Sequence, residues 1–260
     1  KFRAARRLWS KIMKTRFNAQ DQRSMLLRFH TQTSGYALTA QQPETNLIRV
    51  AMQTLAAVLG GTQSLHTNSF DEALALPSNN AVTLALRTQQ IIAYESMVTR
   101  TADPLGGSYY VEYLTDEIEK KALEYIDKID DIGGATTAVE KGFYQREIAD
   151  SAYKYQCDVE SKNEIVVGVN KFISKDEAPI KILRVNPKVR DLQINRTSQV
   201  KKERDNTKVQ DTLRKLEKAA EGRENLMPLI LEAVKCYATI GETAQVLKNV
   251  FGDHKAITII

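Results

Sequence analysis

Residues 28–42 read RFHTQTSGYALTAQQ and residues 60–77 read GGTQSLHTNSFDEALALP. Between them, residues 46–59 (NLIRVAMQTLAAVL) form one apolar spacer of helical length. The apolar set Leu47, Ile48, Ala51, Leu55, Val58 and Leu59 recurs at helical spacing, Pro43, Glu44 and Thr45 open the segment, and Gly60 and Gly61 end it. The short apolar-rich run Ser24–His30 before it suits a buried strand, and a second strand is expected around Gln63–His66. A further helix carrying Val82, Leu84, Leu86, Ile91, Ile92 and Tyr94, capped by Asn79 or Asn80, completes a strand–helix–strand–helix alternation. That alternation predicts a parallel α/β architecture, satisfied by a barrel or by a doubly wound sheet. In both, ligand-binding residues gather in loops after the carboxyl ends of the strands, where the two polar segments fall. Their mixture of His, Gln, Ser, Thr and Asn suits a concave site that hydrogen-bonds a large polar ligand.

Outward from this centre, Phe2, Ala5, Leu8, Trp9, Ile12 and Met13 predict an N-terminal amphipathic helix. Beyond the fourth element, DPLGGSYYVEYLTDEIEKKALEYIDKI carries a Pro–Gly–Gly turn and then a helix starting at Thr115, Asp116 and Glu117 and closed by 131–134. Residues 140–159 read as another helix, and EIVVGVNKF as a strand or an extended arm. From 175 to 207 Lys, Asp, Pro, Asn and Arg dominate, which predicts an extended connector. Helices are expected over 208–218, 225–237 and 241–250.

With 42% hydrophobic and 27% charged residues in 260, the chain can bury a core as one large domain or two smaller ones. No apolar run reaches the roughly 18 residues that cross a bilayer. Cys157 and Cys236 lie far apart without CxxC spacing and read as buried thiols of a reducing compartment. His30, His66 and His254 form no metal-ligand pattern, so no metal site is expected. The net charge of +5 is concentrated at the start, where nine Lys or Arg within 1–28 face Asp21 alone. A solvated helix face accounts for this surplus, and so does attraction of a polyphosphate or a nucleic acid. No RNA- or DNA-binding motif accompanies it, which leaves nucleic acid a minor alternative.

The strings HTQTSGYALTAQQPETNLIRVAMQTLAAVLGGTQSLHTNSFDEALALPS and RTADPLGGSYYVEYLT resemble the large catalytic subunit of the methylmalonyl-CoA mutase family. The resemblance is dense from about Arg3 to Leu114 and looser beyond. It implies an adenosylcobalamin-dependent enzyme that rearranges the carbon skeleton of an acyl-CoA by radical chemistry. Methylmalonyl-CoA is the default substrate, with isobutyryl-CoA and 2-hydroxyisobutyryl-CoA as alternatives. The implied fold is the last βα units of a (β/α)8 barrel over 1–114, a helical region over 115–174, and a connector with C-terminal helices over 175–260. A non-catalytic assembly segment and a basic nucleic-acid-binding module are the readings from other classes.

By the same resemblance, Gln32 lines the substrate and adenosyl pocket, while Arg28, Gln63 and Ser64 lie along the CoA path. Gly35, Glu72 and Ala75 lie against the corrin, and Asn68 with Glu72 reaches the adenosyl ribose, whose hydroxyls an amide and a carboxylate can both accept. An Arg on a barrel strand can equally be structural, and His30 and His66 are readable as acid–base groups or as packing histidines. The principal catalytic residues are expected upstream of Lys1, as is the first part of the barrel. His254 is not expected to bind cobalt, since Asp253 and His254 are adjacent and no DxHxxG pattern is present. The cobalt ligand is therefore expected on a small cobalamin-binding partner chain, in a cytoplasmic hetero-oligomer.

Overall fold

A computed structural model describes residues 1–175 and 180–253, so the expectation for His254 lies outside the described residues. The chain divides into two compact units, Lys1–Leu183 and a second beginning at Arg184.

The first unit opens with α1 (Phe2–Thr15), which buries Ala4 and Leu8. Strand β1 (His30–Gln32) then leads through loop 33–45 into α2 (Asn46–Leu59), and β2 (Ser64–His66) through loop 67–78 into α3 (Asn79–Tyr94). The strands pair in parallel, with His30 opposite Ser64, Thr31 opposite Leu65 and Gln32 opposite His66. A parallel pair joined by a helix is the βα repeat that the sequence alternation demands. The strand expected over Ser24–His30 is displaced: Gln22–Met25 is a 3-10 turn, and the ladder begins only at His30. Gln63 explains the onset, because its side-chain carbonyl accepts the Phe29 amide at 2.8 Å just ahead of the first paired residue.

The helix faces also differ from expectation. Helix α2 buries Asn46, Val50, Thr54 and Ala57 and exposes Ile48 and Met52. Helix α3 buries Ala81, Ala85 and Ile92, while Val82, Leu86, Ile91 and Tyr94 are exposed. The cap of α3 is Ser78, whose hydroxyl accepts the Ala81 amide at 3.3 Å, and not Asn79 or Asn80.

Helix α4 (Tyr109–Ile132) begins six residues before Thr115. Thr115 is buried inside it and returns its hydroxyl to Val111 O at 2.7 Å, a mid-helix bond that leaves no hydroxyl for capping. Helices α5 (Ala135–Glu140) and α6 (Phe143–Glu160) follow. The segment EIVVGVNKF is an arm with a single bridge, Val167 to Lys171. Cys157 is exposed and Cys236 half-buried, both free, which corrects the expectation of buried thiols.

In the second unit, α7 (Pro187–Glu203) replaces most of the connector expected over 175–207. Pro187 at the first helical position and the Asn186 side chain accepting the Lys188 amide are the start signals that the polar composition obscured. Helices α8 (Asn206–Ala220), α9 (Met227–Lys235) and α10 (Ile240–Phe251) surround a small core of Val209, Leu213, Ala233 and Ala238, backed by Cys236 and Val246.

Candidate functional site

Side chains alternate between the faces of a strand, so the parallel register places His30, Gln32, Ser64 and His66 together on one exposed face of the sheet. Thr31 and Leu65, half-buried, take the other face. His30 Nδ1 and Ser64 Oγ lie 2.7 Å apart. Neither His30 nor His66 is a buried packing histidine.

At the carboxyl ends of the strands the two polar loops meet. Gln32 Nε2 donates to Asn68 Oδ1 at 3.0 Å, and the Asn68 amide donates to Thr33 Oγ1 at 2.9 Å. A Cβ placed on Gly35 would lie 3.1 Å from Asn68 Nδ2, so glycine permits the contact between the loops. Glu72 turns back to accept the Ser69 amide at 2.6 Å through Oε1, and Oε2 accepts nothing among the described residues. Ala75 follows in the same turn, its amide donating to Asp71 O. Gln32, Gly35 and Asn68 are thus brought together, with Glu72 and Ala75 in the next turn of the second loop.

The remaining expected residues behave differently. Gln63 is committed to main chain at both ends, accepting from Phe29 and donating to Gly61 O at 3.2 Å. Ser64 is held by His30, and Arg28 is exposed without an ion pair among the described residues. A cleft of about 430 Å³ runs along the free edge of β1 between α1, α2 and α4. Gln32 borders this cleft but Asn68, Glu72 and Ala75 do not, so it is an apolar packing groove and not the polar recess.

Buried polar residues that sequence reasoning passed over support the recess. Thr67 donates to Ala85 O at 2.7 Å and accepts from Gln89 at 2.9 Å, fixing the second loop to α3. Gln53 accepts the Ser34 amide at 2.6 Å, fixing the first to α2. Asp71 is buried, with Oδ2 accepting the Ser78 amide and Oδ1 without a partner among the described residues. A polar side chain on the core side of a helix was the available signal for Gln53 and Gln89. For Thr67 and Asp71 no local signal exists.

Four of the nine Lys or Arg within 1–28 pair with α4 and the turn before it. Arg3 pairs with Asp103 and Glu112, Arg7 with Asp116 and Glu119, Lys11 with Glu119, and Arg16 with Asp130. Arg6 donates to Gly60 O. This helix-to-helix ladder neutralises Arg3, Arg7, Lys11 and Arg16 and leaves Arg28 exposed. Among the described residues, no helix is long and apolar enough to cross a membrane.

These features define an α/β protein with a polar recess at the tips of adjacent parallel strands. Comparison with known proteins makes this specific: the sequence model of the family described as Methylmalonyl-CoA mutase matches residues 1–253. The chain belongs to the methylmalonyl-CoA mutase family. It is 47% identical over 257 residues to the 2-hydroxyisobutanoyl-CoA mutase large subunit of Aquincola tertiaricarbonis, covering 98% of this chain and 46% of the relative. It is 44% identical over 259 residues to the methylmalonyl-CoA mutase of Rhizobium meliloti (strain 1021), covering 99% of this chain and 36% of the relative. The mitochondrial methylmalonyl-CoA mutase of Homo sapiens is 43% identical over 258 residues, covering 98% and 34%. The chain therefore spans between a third and a half of these relatives' lengths.

Proposed function

We propose that the chain is part of the catalytic subunit of an adenosylcobalamin-dependent acyl-CoA mutase that interconverts methylmalonyl-CoA and succinyl-CoA. Family membership and the names of the relatives support the reaction class. In this reading β1–α2–β2–α3 are the last βα units of a (β/α)8 barrel within 1–114, with a helical region over 115–174 and a further helical part over 175–260. Clefts of about 430 and 450 Å³ lie beside β1 and β2, lined in part by residues 31–34 and 62–65, and are compatible with further structure next to the pair. A small cobalamin-binding subunit would carry the cobalt ligand, as the words "large subunit" in one relative's name suggest. A cytoplasmic location belongs to the same proposal.

The observation that carries this reading is the Gln32–Asn68 hydrogen bond, which joins two strand tips into one recess. The residues present fit the cofactor. Gly35 offers a flat approach where a Cβ would crowd Asn68, Ala75 is small, and the open Oε2 of Glu72 can accept from a ribose hydroxyl. Adenosylcobalamin supplies, when bound, the organic radical that begins the rearrangement. The chain's own contribution is placement: Asn68 and Glu72 orient the nucleoside through hydrogen bonds, while Gly35 and Ala75 face the corrin. Gln32 bridges the nucleoside and the acyl group, and Arg28, Gln63 and Ser64 border the CoA path. The same groups replace water around a reactive centre with fixed dipoles.

The test uses the complete enzyme, with the rest of the catalytic polypeptide and a cobalamin-binding subunit, given methylmalonyl-CoA, isobutyryl-CoA or 2-hydroxyisobutyryl-CoA in parallel. Gln32→Ala and Asn68→Ala are each expected to slow isomerisation at least about tenfold, an effect of roughly 1.4 kcal/mol on the barrier. Unchanged rates in both variants, or no isomerisation of any of the three by the unaltered enzyme, would reject the reading.

A further inference from the structure

Asn46, the first residue of α2, is fully buried with 0% of its surface exposed. Its amide group uses every hydrogen bond that it can make. Oδ1 accepts the Thr39 amide at 3.1 Å and Arg49 Nη1 at 2.8 Å. Nδ2 donates to Thr39 O and to Phe70 O, both at 2.9 Å. Thr39 lies in the loop after β1, four residues beyond Gly35, and Phe70 lies between Asn68 and Glu72 in the loop after β2. One fully buried side chain therefore ties both loops of the recess to one another. Arg49 extends the tie: Nη1 also donates to the Thr39 and Thr45 hydroxyls at 3.0 and 2.8 Å, and Nη2 donates to Val167 O at 2.7 Å.

We propose that Asn46 is a positioning residue of the recess: it sets the spacing between the Gly35 loop and the Asn68–Glu72 loop, and so the affinity for the adenosyl group. The proposal rests on the cofactor reading of the recess. The physical ground is that the direct link at the rim, Gln32 to Asn68, joins two side chains, one of them exposed. Such a link fixes the rim only as well as the backbones behind it are fixed. The Asn46 bonds to Thr39 O and Phe70 O hold backbone to backbone through one buried amide, where water cannot substitute.

The experiment takes the complete enzyme with its cobalamin-binding subunit and compares Asn46→Ala, Asn46→Asp, Asn68→Ala and each Asn46 change combined with Asn68→Ala. Asn46→Asp preserves size and both accepted bonds while removing both donated ones, and it serves if the alanine variant fails to fold. The readouts are adenosylcobalamin affinity by visible absorbance and, in cofactor-free enzyme, hydrogen exchange over residues 36–42 and 68–72. Each single variant is expected to weaken binding by about tenfold or more, and the combined variants no further than the weaker-binding single, because Asn46 acts through the position of the loop that carries Asn68. Exchange should rise in both segments in the Asn46 variants, and thermal melting of the assembled enzyme identifies any variant that does not fold. Multiplicative losses in the double variants, or full affinity in Asn46→Asp, would overturn the positioning role. Full affinity in Asn68→Ala would instead remove the cofactor reading, and this inference with it.

Discussion

Glu119 shows at the scale of one residue how the chain disposes of its charge. The side chain is 8% exposed and takes Arg7 and Lys11 together. Burial pushes its carboxyl upward, and hydrogen bonds from Lys11 and Arg7 outweigh burial, leaving the pKa below the ordinary glutamate value. A lowered folded-state pKa means that the unfolded chain takes up the proton first. The stabilisation is present above the unfolded pKa of about 4.5 and is lost as pH falls through the folded value. Glu119→Gln should cost about 1–2 kcal/mol at pH 7, held to that size because both cations are partly exposed. Urea unfolding of the assembled enzyme at pH 7 and near pH 4 would check this. The gap between variant and parent should narrow at the lower pH, and a constant gap would mean that the ion pairs contribute nothing.

Among the elements, α10 carries the strongest local device. Thr239 and Glu242 form a reciprocal capping box: Thr239 Oγ1 accepts the Glu242 amide at 3.3 Å, and Glu242 Oε2 accepts the Thr239 amide at 2.8 Å. Arg204, just after α7 and with 4% of its side chain exposed, grips both oxygens of the same carboxylate and donates to Tyr237 O at 2.7 Å. That grip, first, and the Thr239 bonds hold the Glu242 carboxyl far below the usual range against the opposing effect of burial. Thr239→Ala should cost about 1 kcal/mol as an ordinary cap loss. Arg204→Ala should cost more, about 2–3 kcal/mol, because it strips the charge partner from a half-buried carboxylate. Equal unfolding midpoints for the two variants would contradict that order.

For the whole molecule the deciding quantity is surface. Large side chains stand in solvent on several elements, among them Ile48 and Met52 on α2, Tyr94 on α3, and Tyr109, Tyr110 and Tyr113 on α4. A two-stranded parallel sheet is also too small to stand alone. Expressed without further chain, residues 1–260 should bind a hydrophobic dye and unfold over a broad temperature range, since open strand edges and bare apolar faces need covering. A sharp cooperative transition with no dye binding would show that this span is self-sufficient and would remove the barrel proposal.

Much of this was legible beforehand, and most of the exceptions share a cause. Helical periodicity, the glycine pair after α2 and the two polar strings are local properties, so the order of elements and the positions of Gln32, Asn68 and Glu72 could be read from the chain itself. Strand onset, the buried faces of α2 and α3 and the true start of α4 could not, because each depends on a partner distant in sequence, whereas the helix over 187–203 has local start signals in Asn186 and Pro187 that its polar composition obscures. The six residues from Ser108 to Tyr113 hold three tyrosines and no helical apolar stripe, and the helix through them is fixed by Arg3 bonded to Glu112 across 109 positions. Sequence alone determined the family and the place of Gln32, Asn68 and Glu72 in the two polar strings. Only the tertiary structure decided that α4 pairs with Arg7, Lys11 and Arg16 and that Asn46 ties two loops together. A hydrogen bond carries no trace in the residues between its partners.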